Sequence, residues 1–174
     1  MSHKISKKPP RFHQDDAIYF LTFCTFRRRK ILHRSGVPEM LIETLMFYKS
    51  RIRDLIAYTI MTDHIHLMVD VENVKQMSDF LRDFKKWCSR EVCRLVPIST
   101  PIWLRGTMDH CIRDDLDFHN HLSYIFYNSW KHLQVPPRDF PYHNFLEFVE
   151  KGWFDIDFLG LEHGGDSLTS EQEE

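Results

Sequence analysis

Residues 55–71, L-I-A-Y-T-I-M-T-D-H-I-H-L-M-V-D-V, constrain the fold more than any other stretch. Two runs rich in aliphatic and β-branched residues meet at the polar pair Thr62-Asp63. Such runs, bounded by turn residues, read as strands, and a break this short joins them only as an antiparallel pair. The predicted strands are Leu55–Thr62 and Ile65–Val71, with His64 and His66 where the second begins. Residues two apart in a strand project from the same face. Two imidazoles therefore converge in a run that is otherwise apolar.

Chance has to be weighed against this reading, because eleven histidines in 174 residues give about 0.7 H-x-H pairs at random. A second pair, His119 and His121, shows the bland case: it falls in a helical pattern, where residues two apart do not share a face. His64 and His66 differ in their setting, since Ile60, Ile65, Leu67 and Val69 supply the side chains of a half-buried strand.

The rest of the chain supplies partners for this hairpin. A17-I-Y-F-L-T-F-C-T-F26 is dense in aromatic and β-branched residues and reads as a central strand. Pro38 and Glu39 open a helix that continues through Met40, Leu41, Leu45 and Tyr48 to about Asp54. From Lys75 to Leu95, Met77, Phe80, Leu81, Phe84, Cys88, Val92 and Leu95 mark one helical face, and Arg82, Lys86, Arg90 and Arg94 lie on the other. Asp79, Asp83 and Glu91 interleave with those cations, so that face reads as solvated. Pro97 and Pro101 break the helix, residues 102–113 read as a strand or extended hairpin, and Asp114 or Asp115 caps a helix to about Leu133. Strand, helix, strand, strand, helix, strand, helix predicts an α+β fold. Its sheet is antiparallel and flanked by helices, as in the ferredoxin-like or RNA-recognition-like (RRM-like) group. The aromatic residues of 139–160 are expected to pack back on it.

Length fits one domain with its own core. No stretch approaches a membrane span and the N-terminus has no apolar signal core, so a cytoplasmic protein is expected. Cys24, Cys88, Cys93 and Cys111 lack C-x-x-C spacing and read as packing residues. The formal net charge of −2 conceals a segregation: residues 1–34 carry nine Lys or Arg against Asp15 and Asp16, whereas residues 139–174 carry ten acids and only Lys151. The chain divides into a basic arm (1–16), a folded domain (17–160) and an acidic tail (161–174) expected to be disordered. A basic arm suits a polyanion, although an ordinary soluble surface is about as consistent with charge alone.

The last predicted helix adds a polar stripe, Asp117, His121, Tyr124 and Asn128, beside its apolar face of Leu122, Ile125, Phe126, Trp130 and Leu133. Tyrosine is a weak nucleophile near pH 7 because its pKa is about 10, but a divalent cation polarising a phosphodiester makes attack feasible. Two histidines and an amide oxygen can hold such a cation. Taken alone, a helical tyrosine among Phe and Trp more often packs than reacts.

D63-H-I-H-L-M-V69, then Trp103 with D109-H-C-I-R113, then H121-L-S-Y-I-F-Y-N128 resemble three successive motifs of the REP-associated tyrosine transposases. These are single-tyrosine HUH endonucleases of the IS200-like type. The resemblance runs from about Tyr19 through F140-P-Y-H-N-F145 and K151-G-W-F-D-I-D-F158. It implies a metal-dependent single-stranded DNA endonuclease and strand transferase with Mg²⁺ or Mn²⁺ as cofactor. His64, His66 and Asn128 match its metal ligands, and Tyr124 matches its nucleophile, which forms a 5′-phosphotyrosine link and frees a 3′-OH. This chain departs from the family's N-P-V-K-A-G run, having N128-S-W-K-H-L133, and has Thr62-Asp63 before the first histidine.

The implied substrate is single-stranded DNA with hairpin-forming palindromes, bound by a monomer or homodimer. Phosphate contacts are expected from Lys4, Lys7, Lys8 and Arg11 in the arm, from Arg27, Arg28, Arg29 and Lys30 after the first strand, and from Arg105 and His110. Two rivals stay open: a non-catalytic nucleic-acid binder on the same sheet, and a hydrolase using water as nucleophile at the H-x-H site.

Overall fold

The computed structural model describes residues 14–158. Lys4, Lys7, Lys8 and Arg11, with most of the expected arm and all of the expected tail, lie outside them. Four strands, β1 (Ala17–Cys24), β2 (Asp54–Ile60), β3 (His64–Val71) and β4 (Met108–Cys111), form one sheet in the order β2-β3-β1-β4. Every pairing is antiparallel. With α1 (Val37–Tyr48) between β1 and β2, and α2 (Val74–Leu95) between β3 and β4, this is the ferredoxin-like arrangement. α3 (Asp115–Leu133) and the short α4 (Phe145–Glu150) follow.

Alternation along the strands sorts side chains to two faces. Tyr19, Leu21 and Phe23 of β1 join Ile65, Leu67 and Val69 of β3 in one core, closed by Leu41 and Leu45 of α1 and Phe80, Phe84 and Cys88 of α2. Phe20 and Met68 point the other way, into a second core with Leu122, Ile125 and Phe126 of α3 and Phe145 and Phe148 of α4. The sheet is covered on both faces. β3 is consequently almost wholly buried, not half-buried, and His64 and His66 retain only 5% and 3% of their exposure.

Local signals place the helix ends. The Asn73 side chain caps α2 by accepting from the Gln76 amide, and Asp114 caps α3 by accepting from the Asp117 amide. α1 stops at Tyr48, short of the expected Asp54: a 3₁₀ turn over Lys49–Arg51 drops Ile52 into the core, and Asp54 already opens β2. No Gly or Pro marks that end, so periodicity alone ran past it.

The expected strand over 102–113 is interrupted. Ile102 and Leu104 exchange backbone hydrogen bonds with Phe26 and Cys24, residues 108–111 pair with Tyr19–Thr22, and the intervening segment loops out at Gly106, whose φ is 93°. The aromatic C-terminal region packs back as anticipated. The Tyr142 carbonyl accepts from the Ile60 amide, and the Asn144 side chain bridges the Tyr58 amide and the Ile56 carbonyl, where β2 carries its bulge. Among the described residues no helix is long and apolar enough to cross a membrane.

Candidate active site

β1, β3 and α3 meet on the sheet face beneath α3. Thr22 pairs with His66 in register, and Phe20 with Met68, so these four share that face. The rings of His64 and His66 lie 4.8 Å apart, as their spacing in a strand requires. Each is held at Nδ1: His66 by the Thr22 hydroxyl at 2.7 Å, His64 by the Asp63 carboxylate at 2.7 Å. A histidine clasped at one ring nitrogen presents the other in a fixed direction, which is how metal-binding imidazoles are oriented.

Asn128 is fully buried on α3. Its side-chain N–H donates to the Tyr124 carbonyl at 2.6 Å. Asn128 Oδ1 and His66 Nε2 are both buried without a hydrogen-bond partner among the described residues. An unsatisfied buried polar atom costs about 1–3 kcal/mol, so two of them in one site signal an occupant. A divalent cation accepts both lone pairs, and imidazole nitrogen with amide oxygen is a donor set it uses. The residues fit such an ion. Burial, with His64 alongside, holds the His66 pKa well below that of an ordinary imidazole, so the ring is neutral and ligand-competent at pH 7.

Tyr124 stands next to this pair, its ring 5.3 Å from that of His66. Burial raises its hydroxyl pKa, against the opposing pull of the Asn128 amide and of Arg28. Lys131 places Nζ 5.5 Å from the Tyr124 ring centroid. Its i,i+4 spacing suggests Tyr127 as the nearer ring, but seven residues return a helical side chain to within about 20° of its starting direction.

The cations expected to meet phosphate separate. Arg27 and Arg28 adopt left-handed backbone conformations, with φ of 56° and 54°. Arg28 turns back over the site, its Nε 3.3 Å from the Asp63 carboxylate and its guanidinium donating to Cys24 Sγ at 2.7 Å. Arg29 is committed elsewhere: it donates to the carbonyls of Phe26, Ser99 and Pro101 and ties the two chain segments together. Arg27, Lys30 and Arg105 are exposed. His110 is part-exposed and pairs with Asp117.

The polar stripe on α3 divides. Tyr124 and Asn128 join the histidine pair, whereas Asp117 and His121 turn to His110 on β4, beyond the Phe20 ring. Sequence reasoning missed Thr22, which holds His66, Lys131 over the Tyr124 ring, and His132, whose ring lies 5.6 Å from that of His64. For His132, the position four residues past Asn128 was the available signal.

Residues 13–107 match the family "Transposase IS200 like". A protein of Haemophilus influenzae assigned to the REP-associated tyrosine transposases is 31% identical over 162 residues, covering 82% of this chain and 88% of its own. The REP-associated tyrosine transposase of Escherichia coli is 25% identical over 152 residues, covering 86% and 89%. A solved REP-associated tyrosine transposase bound to a REP hairpin superposes with a TM-score of 0.74 at 24% identity, over 87% of this chain and 90% of that one. The fold, the order of its motifs and these relatives agree: the chain belongs to the IS200-like transposases and, within them, to the REP-associated tyrosine transposases, which are enzymes.

Proposed function

We propose that this transposase cuts and rejoins single-stranded DNA at hairpin-forming palindromes, with Tyr124 as nucleophile and His64, His66 and Asn128 as ligands of a divalent metal, Mg²⁺ or Mn²⁺. The observation that carries the reading is that two buried atoms, His66 Nε2 and Asn128 Oδ1, have no hydrogen-bond partner among the described residues and belong to side chains beside a tyrosine. Divalent-metal use is implied by the family, and when bound the ion would polarise the scissile phosphate and lower the barrier to attack.

The chain's own residues do the rest. Thr22 and Asp63 fix the two rings so that neither must reorganise on binding. Asn128 anchors its amide on the Tyr124 carbonyl, which couples ligand and nucleophile through one helical turn. Tyr124 enters the reaction protonated, since burial raises its pKa. Its hydroxyl proton passes to water as its oxygen bonds to phosphorus. The bond from phosphorus to the 3′ oxygen breaks, and that oxygen takes a proton to become a free 3′-OH. A 5′-phosphotyrosine remains, and the reverse step with another 3′-OH rejoins the strand. Arg28 and Lys131, flanking Tyr124, offset the charge of the phosphate.

The solved relative's REP hairpin supports a hairpin substrate here. Arg27, Arg28 and Lys30 would meet its backbone, helped by the arm at 1–16, and a cytoplasmic site of action follows from the substrate. The test is incubation of the full chain with a single-stranded hairpin oligonucleotide and Mn²⁺, followed by denaturing electrophoresis. A band of protein covalently joined to DNA, absent with a chelator, is expected. Cleavage without an adduct would mean that water is the nucleophile, and no cleavage would leave a binding protein.

A further inference from the structure

Beyond the Phe20 ring, on the side away from His66, the strand and helix bring a second group of potential ligands together. Phe20 lies 5.2 Å from the His66 ring and 4.7 Å from the His121 ring, so it separates two distinct clusters. His110 comes from β4, Asp117 from the first turn of α3, and His121 from the turn above it. One ligand atom from each lies within 4.8 Å of the others. We infer that His110, Asp117 and His121 form a second metal site, selective for a borderline transition ion such as Zn²⁺ and separate from the site at His64 and His66.

Geometry supports chelation. The Asp117 carboxylate reaches His110 Nε2 at 2.8 Å and His121 Nδ1 at 3.0 Å; His121 Nδ1 also donates to the Asp117 backbone carbonyl at 2.9 Å, so the ion takes the place of that proton. Ligand atoms on a tetrahedral ion with bonds of about 2.1 Å stand about 3.4 Å apart, so a small outward movement admits the ion between them. The two imidazoles stack, with centroids 4.6 Å apart and planes 17° from parallel, and because a ring-nitrogen lone pair lies in the ring plane, one ring tilts for both to reach a common ion. Asp117 is oriented from behind by the Arg113 backbone amide at 3.0 Å. Such support of a ligating carboxylate is the usual second layer of a metal site.

Chemistry supports the choice of ion. Two imidazole nitrogens and one carboxylate oxygen suit Zn²⁺, Co²⁺ or Ni²⁺. His121 is pushed toward its neutral form by burial. The hydrogen bonds of Asp117 to His110 and the Arg113 amide outweigh its own burial and hold the carboxyl below its usual pKa, so it is ionised at neutral pH. The Arg113 guanidinium, 3.4 Å from Asp117, is 75% exposed and free to swing into solvent as the ion enters. His110 is also part-exposed, which leaves an approach path and open coordination positions on the outer side. An ion here would tie the edge strand β4 to the helix that carries Tyr124 and Asn128.

The experiment titrates metal-free full-length protein with Zn²⁺ by calorimetry and with Co²⁺ by visible absorption. In the His64→Ala/His66→Ala variant one equivalent is expected to remain, and adding His110→Phe is expected to remove it. His110→Phe keeps an aromatic ring against His121, and its thermal melt separates loss of metal from loss of fold. Asp117→Asn, made alone, is expected to lose one equivalent relative to the unsubstituted chain. The inference is overturned if the His64→Ala/His66→Ala variant binds no Zn²⁺ or Co²⁺ while folded, or if Asp117→Asn and His110→Phe bind as many equivalents as their parents. The covalent-adduct assay does not enter this titration, so failure of the proposed cleavage reaction is read separately.

Discussion

The Thr22 hydroxyl and His66 Nδ1 lie 2.7 Å apart, across the paired strands β1 and β3. This hydrogen bond fixes which edge of the His66 ring faces Asn128. Thr22→Val preserves shape and β propensity but leaves Nδ1 unsatisfied. The expected result is a loss of about 1–3 kcal/mol in stability and roughly 10–100-fold weaker Mn²⁺ binding, read by denaturant unfolding and calorimetry. Unchanged metal affinity would show that the ring needs no such support.

Tyr124, and not Tyr127, is expected to carry the DNA. Three residues on a helix turn the side chain by about 300°, and only Tyr124 places its ring beside His66. Tyr124→Phe removes one hydroxyl, so it is expected to abolish the covalent adduct while leaving Mn²⁺ and hairpin binding intact. Tyr127→Phe is expected to form adduct at the normal rate. An adduct that persists in Tyr124→Phe would identify another nucleophile.

Stability is expected to fall on mild acidification. Burial holds the His143 pKa down at about 4 and also lowers those of His66, His33, His121 and His132. The unfolded chain takes up these protons near pH 6.5, and the folded chain only at lower pH. Between those values the unfolded state binds more protons, so stability is full above about pH 6.5 and drops as pH falls toward 4. His143 alone accounts for roughly 3 kcal/mol of that loss. Thermal melts from pH 7 to 4.5 check it. His143→Asn, which keeps an acceptor near the Phe145 amide, should flatten the profile, and an equally steep profile would assign the effect elsewhere.

Arg28 and Arg29 are neighbours with different expected losses. Arg28 reaches over the site with its side chain 56% exposed, so Arg28→Ala is expected to weaken hairpin binding and reduce the salt slope by about one phosphate contact. Arg29 is bound to three carbonyls, so Arg29→Ala is expected to lower stability by roughly 1–3 kcal/mol with little change in salt slope. Deleting residues 1–11 is expected to flatten the salt slope further. Binding isotherms over a range of salt concentrations distinguish the three.

Local pattern was enough for some of this. The polar break at Thr62-Asp63 determined the antiparallel pair, the strand period put His64 and His66 on one face, and the spacing of Tyr124 and Asn128 put them on one side of a helix. These follow from chain geometry within a few residues, which any packing must respect. What covers a face is a different matter. Alternation says that His66 and Met68 share a side, but only the assembled fold sends α1 and α2 to one face and α3 and α4 to the other, burying the histidines. The end of α1 and the loop before β4, which interrupts the strand expected over 102–113, were likewise set by long-range pairing, with no breaker at the first and only Gly106 at the second. Arg28 and Arg29 are alike as letters, yet two left-handed residues aim one at the site and leave the other to bind carbonyls. His110 meets Asp117 and His121 for the same reason: β4 and α3 are brought side by side by the sheet and its packing, an energy summed over the whole core that no short window of sequence contains.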